Sequence, residues 1–157
     1  IGPYQLYSRY KVTNSQNITS FYIDYYQFTG GAHGITTRLS YNVDNITGKE
    51  LKLSDLFKGG YEYKKVINLE IANAIQFDKD KYFTGKDGFK GISEKQGFYV
   101  SSGNVVIYFN VYEIAPYVTG IPEFYIPFEK FDQKELKYEL QPYNIKNIWI
   151  ECTNFKF

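Results

Sequence analysis

"SFYIDYYQFTGGAHGITTRLSYNV", residues 20–43, decides how the first third of the chain folds. Both flanks alternate with a period of two. Phe21, Ile23 and Tyr25 share one face of the first run, and Tyr22, Asp24 and Tyr26 share the other. Leu39, Tyr41 and Val43 share a face of the second run. That period predicts strands over 20–28 and 36–43. Between them lies GGAHG, residues 30–34. Gly30, Gly31 and Gly34 offer three places where φ can be positive, and Ala32 takes little room, so a tight hairpin connection is expected. The turn also holds His33, the only histidine in the chain. Its ring can project as a contact group or pack locally and bond a neighbouring backbone group.

Working outward, "YQLYSRYKV" (4–12) reads as a further Tyr-rich strand, with "NSQN" (14–17) as the turn that leads into the second. "DNITGKE" (44–50) is turn chemistry, with Gly48 free to take positive φ. In "LSDLF" (53–57), Ser54 is a candidate N-cap for a short helical turn, which "KGG" ends. A longer helix is expected over about 61–80, because Ile67, Ile71, Ala74 and Ile75 recur at helical spacing. β structure resumes with "GFYVS" (97–101), the tight turn "SGN" and "VVIYFN" (105–110). "VYEIAPYVTGIP" (111–122) is irregular, broken by Pro116 and Pro122. "EFYIPF" (123–128) is a strand whose Pro127 argues for an edge or a strand end. "NIKNIWIECTNF" (144–155) reads as a terminal strand. The expected class is α+β: a largely antiparallel sheet with one main helix (about 61–80) packed on one face.

The chain has 157 residues, enough for one domain with its own core. Its formal net charge is +1 with both signs interspersed, so a basic nucleic-acid face is not expected. No apolar run approaches the roughly 20 residues of a membrane helix, so no membrane contact is expected of this fragment. The chain lacks methionine even at position 1 and reads as a processed or trimmed product, with any signal or anchor upstream. Aromatics form 20% of the chain. That richness has two readings: the codon usage of an AT-rich genome, or a Tyr-rich surface for sugars or protein partners.

Chemistry-bearing groups are few. One histidine and one cysteine make a zinc site improbable, and Cys152 lies in an apolar strand context that suits an inert thiol. "DKDKYFTGKDG" (78–88) has alternating acids but lacks the ligand order and terminal Glu of an EF-hand. No Walker sequence exists. No nucleophile is spaced for a base, so the expectation is no catalytic residue, no metal and no cofactor. An enzyme would need His33 in a cleft with a carboxylate within hydrogen-bond reach.

"YYQFTGGAHGITTRLSYNVDNITGKELKLSDLF" and "VVIYFNVYEIAPYVTGIPEFYIPF" together resemble the family of domain of unknown function 3298, preceded by the end of a 4163-like domain. The matching positions are Tyr25–Phe28, Gly30–Gly34, Tyr41, Asn42, Thr47–Glu50 and Leu53–Phe57, then Phe109, Tyr112–Tyr117, Gly120–Glu123 and Pro127. The resemblance divides the chain into 1–19, the end of a truncated strand region; 20–131, the family-like domain; and 132–157, a C-terminal extension with a last strand. The family is similar to the extracytoplasmic part of the anti-sigma factor RsiV, which binds lysozyme. It is also similar to the non-catalytic N-terminal region of the peptidoglycan deacetylase PdaC. The resemblance therefore implies a non-catalytic, extracytoplasmic binding or sensing module of a Gram-positive bacterium, with a lysozyme-like protein or peptidoglycan as partner. The candidate contact residues are His33 in the turn and Tyr112, Glu113, Tyr117 and Glu123 in the second motif, whose acids suit a basic partner. A cell-wall carbohydrate module that stacks Tyr or Trp149 on sugar rings is the alternative, followed by a hydrolase using His33.

Overall fold

The structure, a computed structural model, describes residues 4–139 in full and the backbone of residues 149–151. It contains β1 (Gln5–Ser15), β2 (Ile18–Phe28), β3 (Ile35–Asp44), α1 (Tyr63–Phe77), β4 (Phe98–Ser101), β5 (Asn104–Tyr108), β6 (Glu123–Pro127) and β7 (Trp149–Glu151), joined by short 3₁₀ turns. The fold is α+β. The strands form two antiparallel sheets rather than one, ordered β3-β2-β1-β7 and β4-β5-β6.

The second sheet is the middle layer, and β5 shows why. Val105 and Ile107 join the main core with Ile67 and Ile71 of α1, while Val106 and Tyr108 meet Tyr22 of β2 and Tyr99 of β4. Val105, Val106 and Ile107 are all fully buried, so the unbroken apolar run in this strand reflects cover on both faces. Ser102 and Gly103, at φ 46 and 78, form the two-residue turn between β4 and β5. Pro127 ends β6, an edge strand, where its missing N–H costs no ladder bond.

The first sheet turns its mixed face, not its more apolar one, toward the second sheet. Ile18, Ser20, Tyr22, Asp24, Arg38 and Asn42 are buried. Phe21, Ile23, Tyr25, Tyr41 and Val43 are half-buried on the opposite face, and Leu39 is 46% exposed. Phe21 and Tyr41 stack there across the strands at 5.1 Å. The inner face is polar because it binds main chain. Ser20 Oγ accepts from the Val100 N–H at 2.8 Å and donates to Asn42 Oδ1 at 2.6 Å, and Asn42 Nδ2 donates to the Phe98 carbonyl at 3.0 Å. β4 thus docks across the first sheet through side chains that satisfy its backbone. A bulge between Val12 and Asn14 of β1 lets Thr13 and Asn14 both turn inward, bonding the Ser20 and Ile18 carbonyls at 3.1 and 2.6 Å.

Local expectations are corrected in four places. α1 is shorter than 61–80, because Asp78 leaves helical geometry at ψ 41 and residues 79–81 form a separate turn. Its buried stripe runs through Ile67 and Ile71 with Tyr63, Val66 and Ile75 packed beside it, while Ala74 is exposed. Ser54 is not the cap of its 3₁₀ turn; the turn starts after Lys52, whose N–H donates to Asp55 Oδ2 at 3.0 Å. The first hairpin also closes more tightly than "NSQN" suggests, with only Gln16 and Asn17 between the strands. Of the expected strand 144–155, residues 149–151 pair with β1; the rest, with the side chains of Trp149 and Cys152, lies outside the described residues.

Asn42→Ala leaves the Phe98 carbonyl and the Ser20 hydroxyl short of a partner in a buried layer. The expected loss is about 2–4 kcal/mol of folding stability, read from the urea midpoint. A loss below about 1 kcal/mol would show that the interlayer bonds are not what seats β4.

Candidate functional site

Asp24 and Arg38 sit at equal distances in sequence from Gly31, and the hairpin register sets them opposite each other. Arg38 Nε and Nη2 donate to the two Asp24 carboxylate oxygens at 2.6 and 2.9 Å, a bidentate pair. Arg38 Nη1 donates to Glu123 Oε1 of β6. The guanidinium lies 3.6 Å over the Tyr22 ring, and Arg9 approaches Asp24 from the rim at 3.4 Å. Tyr99 and Tyr125 donate to the two Glu123 oxygens at 3.1 and 3.0 Å. Burial draws the Arg38 proton affinity down, but the Asp24 hydrogen bonds with the Asp24 and Glu123 charges more than reverse this, so Arg38 titrates above its ordinary range. Burial pushes the phenols of Tyr22, Tyr99 and Tyr108 above the usual tyrosine value.

The main chain of Arg38 anchors the second motif. Its N–H donates to Asn110 Oδ1 at 2.7 Å, and Asn110 Nδ2 donates back to the Arg38 carbonyl at 3.3 Å. Asn110 then opens a tight turn: its N–H donates to Glu113 Oε2, and the Glu113 N–H donates to the Asn110 carbonyl at 3.1 Å. Within that turn Tyr112 has φ 70, the left-handed region that bulky residues rarely enter. The residue is 49% exposed, and its ring lies 5.9 Å from the Tyr117 ring. Tyr117 stacks on His33 at 3.9 Å, with planes 26° apart, and donates its hydroxyl to the Gly34 carbonyl at 2.8 Å. His33 is exposed, with Nδ1 3.3 Å from the Gly34 oxygen.

Of the five candidate contact residues, His33, Tyr117 and Tyr112 form one surface row, and Glu113 ties down the turn that carries it. Glu123 is drawn away into the interlayer cluster. Gly30 and Gly31 take φ 99 each, as the turn requires, with open space around them. Gly34 does not need positive φ; it needs the absence of a side chain, since a Cβ would lie 2.4 Å from the Tyr26 ring and 2.6 Å from the Gln27 carbonyl. Among the described residues no group of His, Cys, Asp and Glu is arranged to hold a metal, and no helix is long and apolar enough to cross a membrane. Sequence reading missed Arg38 and Tyr99. The signal for Arg38 was present: a hairpin centred on residue 31 pairs position 24 with position 38.

Residues 54–129 match the family model described as a protein of unknown function, DUF3298, and residues 1–36 match the model described as deacetylase PdaC. Two solved structures share this architecture. A DUF3298 family member from Bacteroides fragilis superposes with a TM-score of 0.68 at 29% identity, covering 86% of this chain and 55% of its own. A DUF3298 family protein from Pseudomonas aeruginosa PAO1 gives 0.68 at 27% identity, covering 90% of this chain and 66% of its own. The chain is similar to the DUF3298 family in residues 54–129 and in its fold. The chain spans 55% and 66% of the lengths of those two proteins. Its GGAHG turn falls within the stretch matched by the deacetylase-named model, and its Tyr112–Tyr117 motif within the DUF3298 match. No curated protein matches it.

Two outcomes follow. Gly34→Ala forces a methyl group against Tyr26 and the Gln27 backbone and is expected to cost about 1–3 kcal/mol, measured by urea denaturation. An unfolded tyrosine ionises near pH 10, whereas the buried phenols of Tyr22, Tyr99 and Tyr108 keep their protons to higher pH. Stability is therefore fully present below about pH 10 and falls as pH rises above it, by up to about 1.4 kcal/mol per pH unit for each such tyrosine. Denaturant midpoints taken from pH 8 upward check this; a flat profile past pH 11 contradicts it.

Proposed function

We propose that this chain, similar to the DUF3298 family, is a non-catalytic, extracytoplasmic binding or sensing module of a Gram-positive bacterium. In this reading it is carried by an upstream anchor or secreted, and it recognises a lysozyme-like protein or peptidoglycan. The observation that carries the reading is the row His33–Tyr117–Tyr112, in which two motifs far apart in sequence meet at 3.9 Å through His33 and Tyr117, and Tyr112 extends the row 5.9 Å from Tyr117. Exposed aromatic rings with polar tips give contact area at low entropy cost, which is what recognition surfaces use. The row sits on loops held by a hydrogen-bonded strand scaffold, so little ordering remains to be done on binding. The match of residues 1–36 to a model named for a deacetylase supports a cell-wall setting. His33 stands exposed against a tyrosine ring and a backbone carbonyl, an arrangement that suits contact better than proton transfer.

The test is calorimetric titration of the purified chain with hen lysozyme and, separately, with soluble peptidoglycan fragments. One of the two is expected to bind, and His33→Ala is expected to weaken that binding about five- to tenfold with the melting midpoint held. If neither binds, the reading falls. Hydrolysis of either probe that His33→Ala abolishes in a folded chain would replace it with an enzymatic one.

A further inference from the structure

Beside the end of the aromatic row lies an open hollow of about 530 Å³, lined by Phe83, Lys86, Asp87, Gly88, Tyr112 and Glu113. That volume falls in the range of small-ligand clefts. One wall is set by close packing: a Cβ on Gly88 would lie 2.6 Å from the Phe83 carbonyl, and the Phe83 N–H donates to the Ile114 carbonyl at 2.9 Å. Tyr112 also lines the hollow, in a backbone conformation that a bulky residue rarely adopts. Glycine or asparagine satisfies φ 70 without strain, so the turn alone gives no reason for tyrosine. Lys86 and Asp87 form no ion pair among the described residues and are exposed at the rim. The site therefore offers a flat aromatic face, one cationic donor and carboxylate acceptors.

We propose that this hollow is a saccharide subsite, in which a pyranose ring stacks on Tyr112 and its hydroxyls bond Lys86, Asp87 and the free oxygen of Glu113. Hydroxyls both donate and accept, which matches a rim of mixed sign; a strongly basic or acidic partner would meet a like charge there. The proposal rests on the binding-module reading and names its ligand class.

The experiment titrates the chain with a β-1,4-linked N-acetylglucosamine tetramer and, in parallel, with lysozyme. The tetramer is expected to bind. Tyr112→Asn, which keeps a residue at ease at φ 70, is expected to weaken that binding about tenfold while the melting midpoint stays level or rises. Asp87→Ala, at an exposed rim position, is expected to weaken it without moving the midpoint, so the subsite is tested even where Tyr112→Asn disturbs the turn. Lysozyme binding with no response to the tetramer overturns the saccharide assignment and leaves the module reading standing. Silence with both ligands removes both. Tetramer binding that neither variant weakens shows that the sugar sits elsewhere.

Discussion

One guanidinium organises the contact between the two sheets. Arg38 reaches both oxygens of Asp24 on its own sheet and Glu123 on the other, and lies over the ring of Tyr22. Burying such charges costs several kcal/mol per ion, so the cluster is weak evidence of net stability. Its effect is positional. Only one placement of β6 brings Glu123 to Arg38 while Tyr99 and Tyr125 complete the Glu123 hydrogen bonds. Apolar side chains of equal volume would fill the layer equally well but would accept a slipped packing. Ser20 and Asn42 act in the same way four residues along the same two strands, because a hydroxyl and an amide that bond the Val100 and Phe98 backbone tolerate no displacement of β4.

This explains what was legible in the sequence and what was not. Alternation reveals which residues share a strand face, and Phe21, Ile23 and Tyr25 do share one with Leu39, Tyr41 and Val43. It does not reveal which face the next layer covers. Apolar content favours the Phe21 face, yet the buried one carries Ser20, Asp24, Arg38 and Asn42, because those groups find partners on the second sheet. β5 was legible for the opposite reason: an unbroken apolar run has no polar face to dispute. Helical spacing located α1, but the Ala74 methyl is too small to draw its side of the helix inward when Tyr63 and Val66 offer more surface.

The candidate site was half legible. Loop residues of the two motifs were expected to form one surface, and His33, Tyr117 and Tyr112 do. Glu123 follows its strand instead, one residue past the Pro122 that ends the loop. Gly34 was read as a torsional glycine beside Gly30 and Gly31, but it is a steric one. Distinguishing the two requires knowing that the Tyr26 ring folds over the turn, which is a tertiary fact.

Core and surface are coupled through a single residue. The side chain of Arg38 holds the sheets in place, and its main-chain N–H and carbonyl hold Asn110. Asn110 in turn sets the short loop in which Tyr112 takes its unfavourable torsion. A strained residue persists only where its surroundings over-determine it. Here the determination runs from a buried bidentate ion pair, through two hydrogen bonds to one asparagine, to an exposed aromatic ring. The interlayer cluster and the surface row are thus consecutive parts of one structure, since whatever loosens the first also releases the torsion that presents the second.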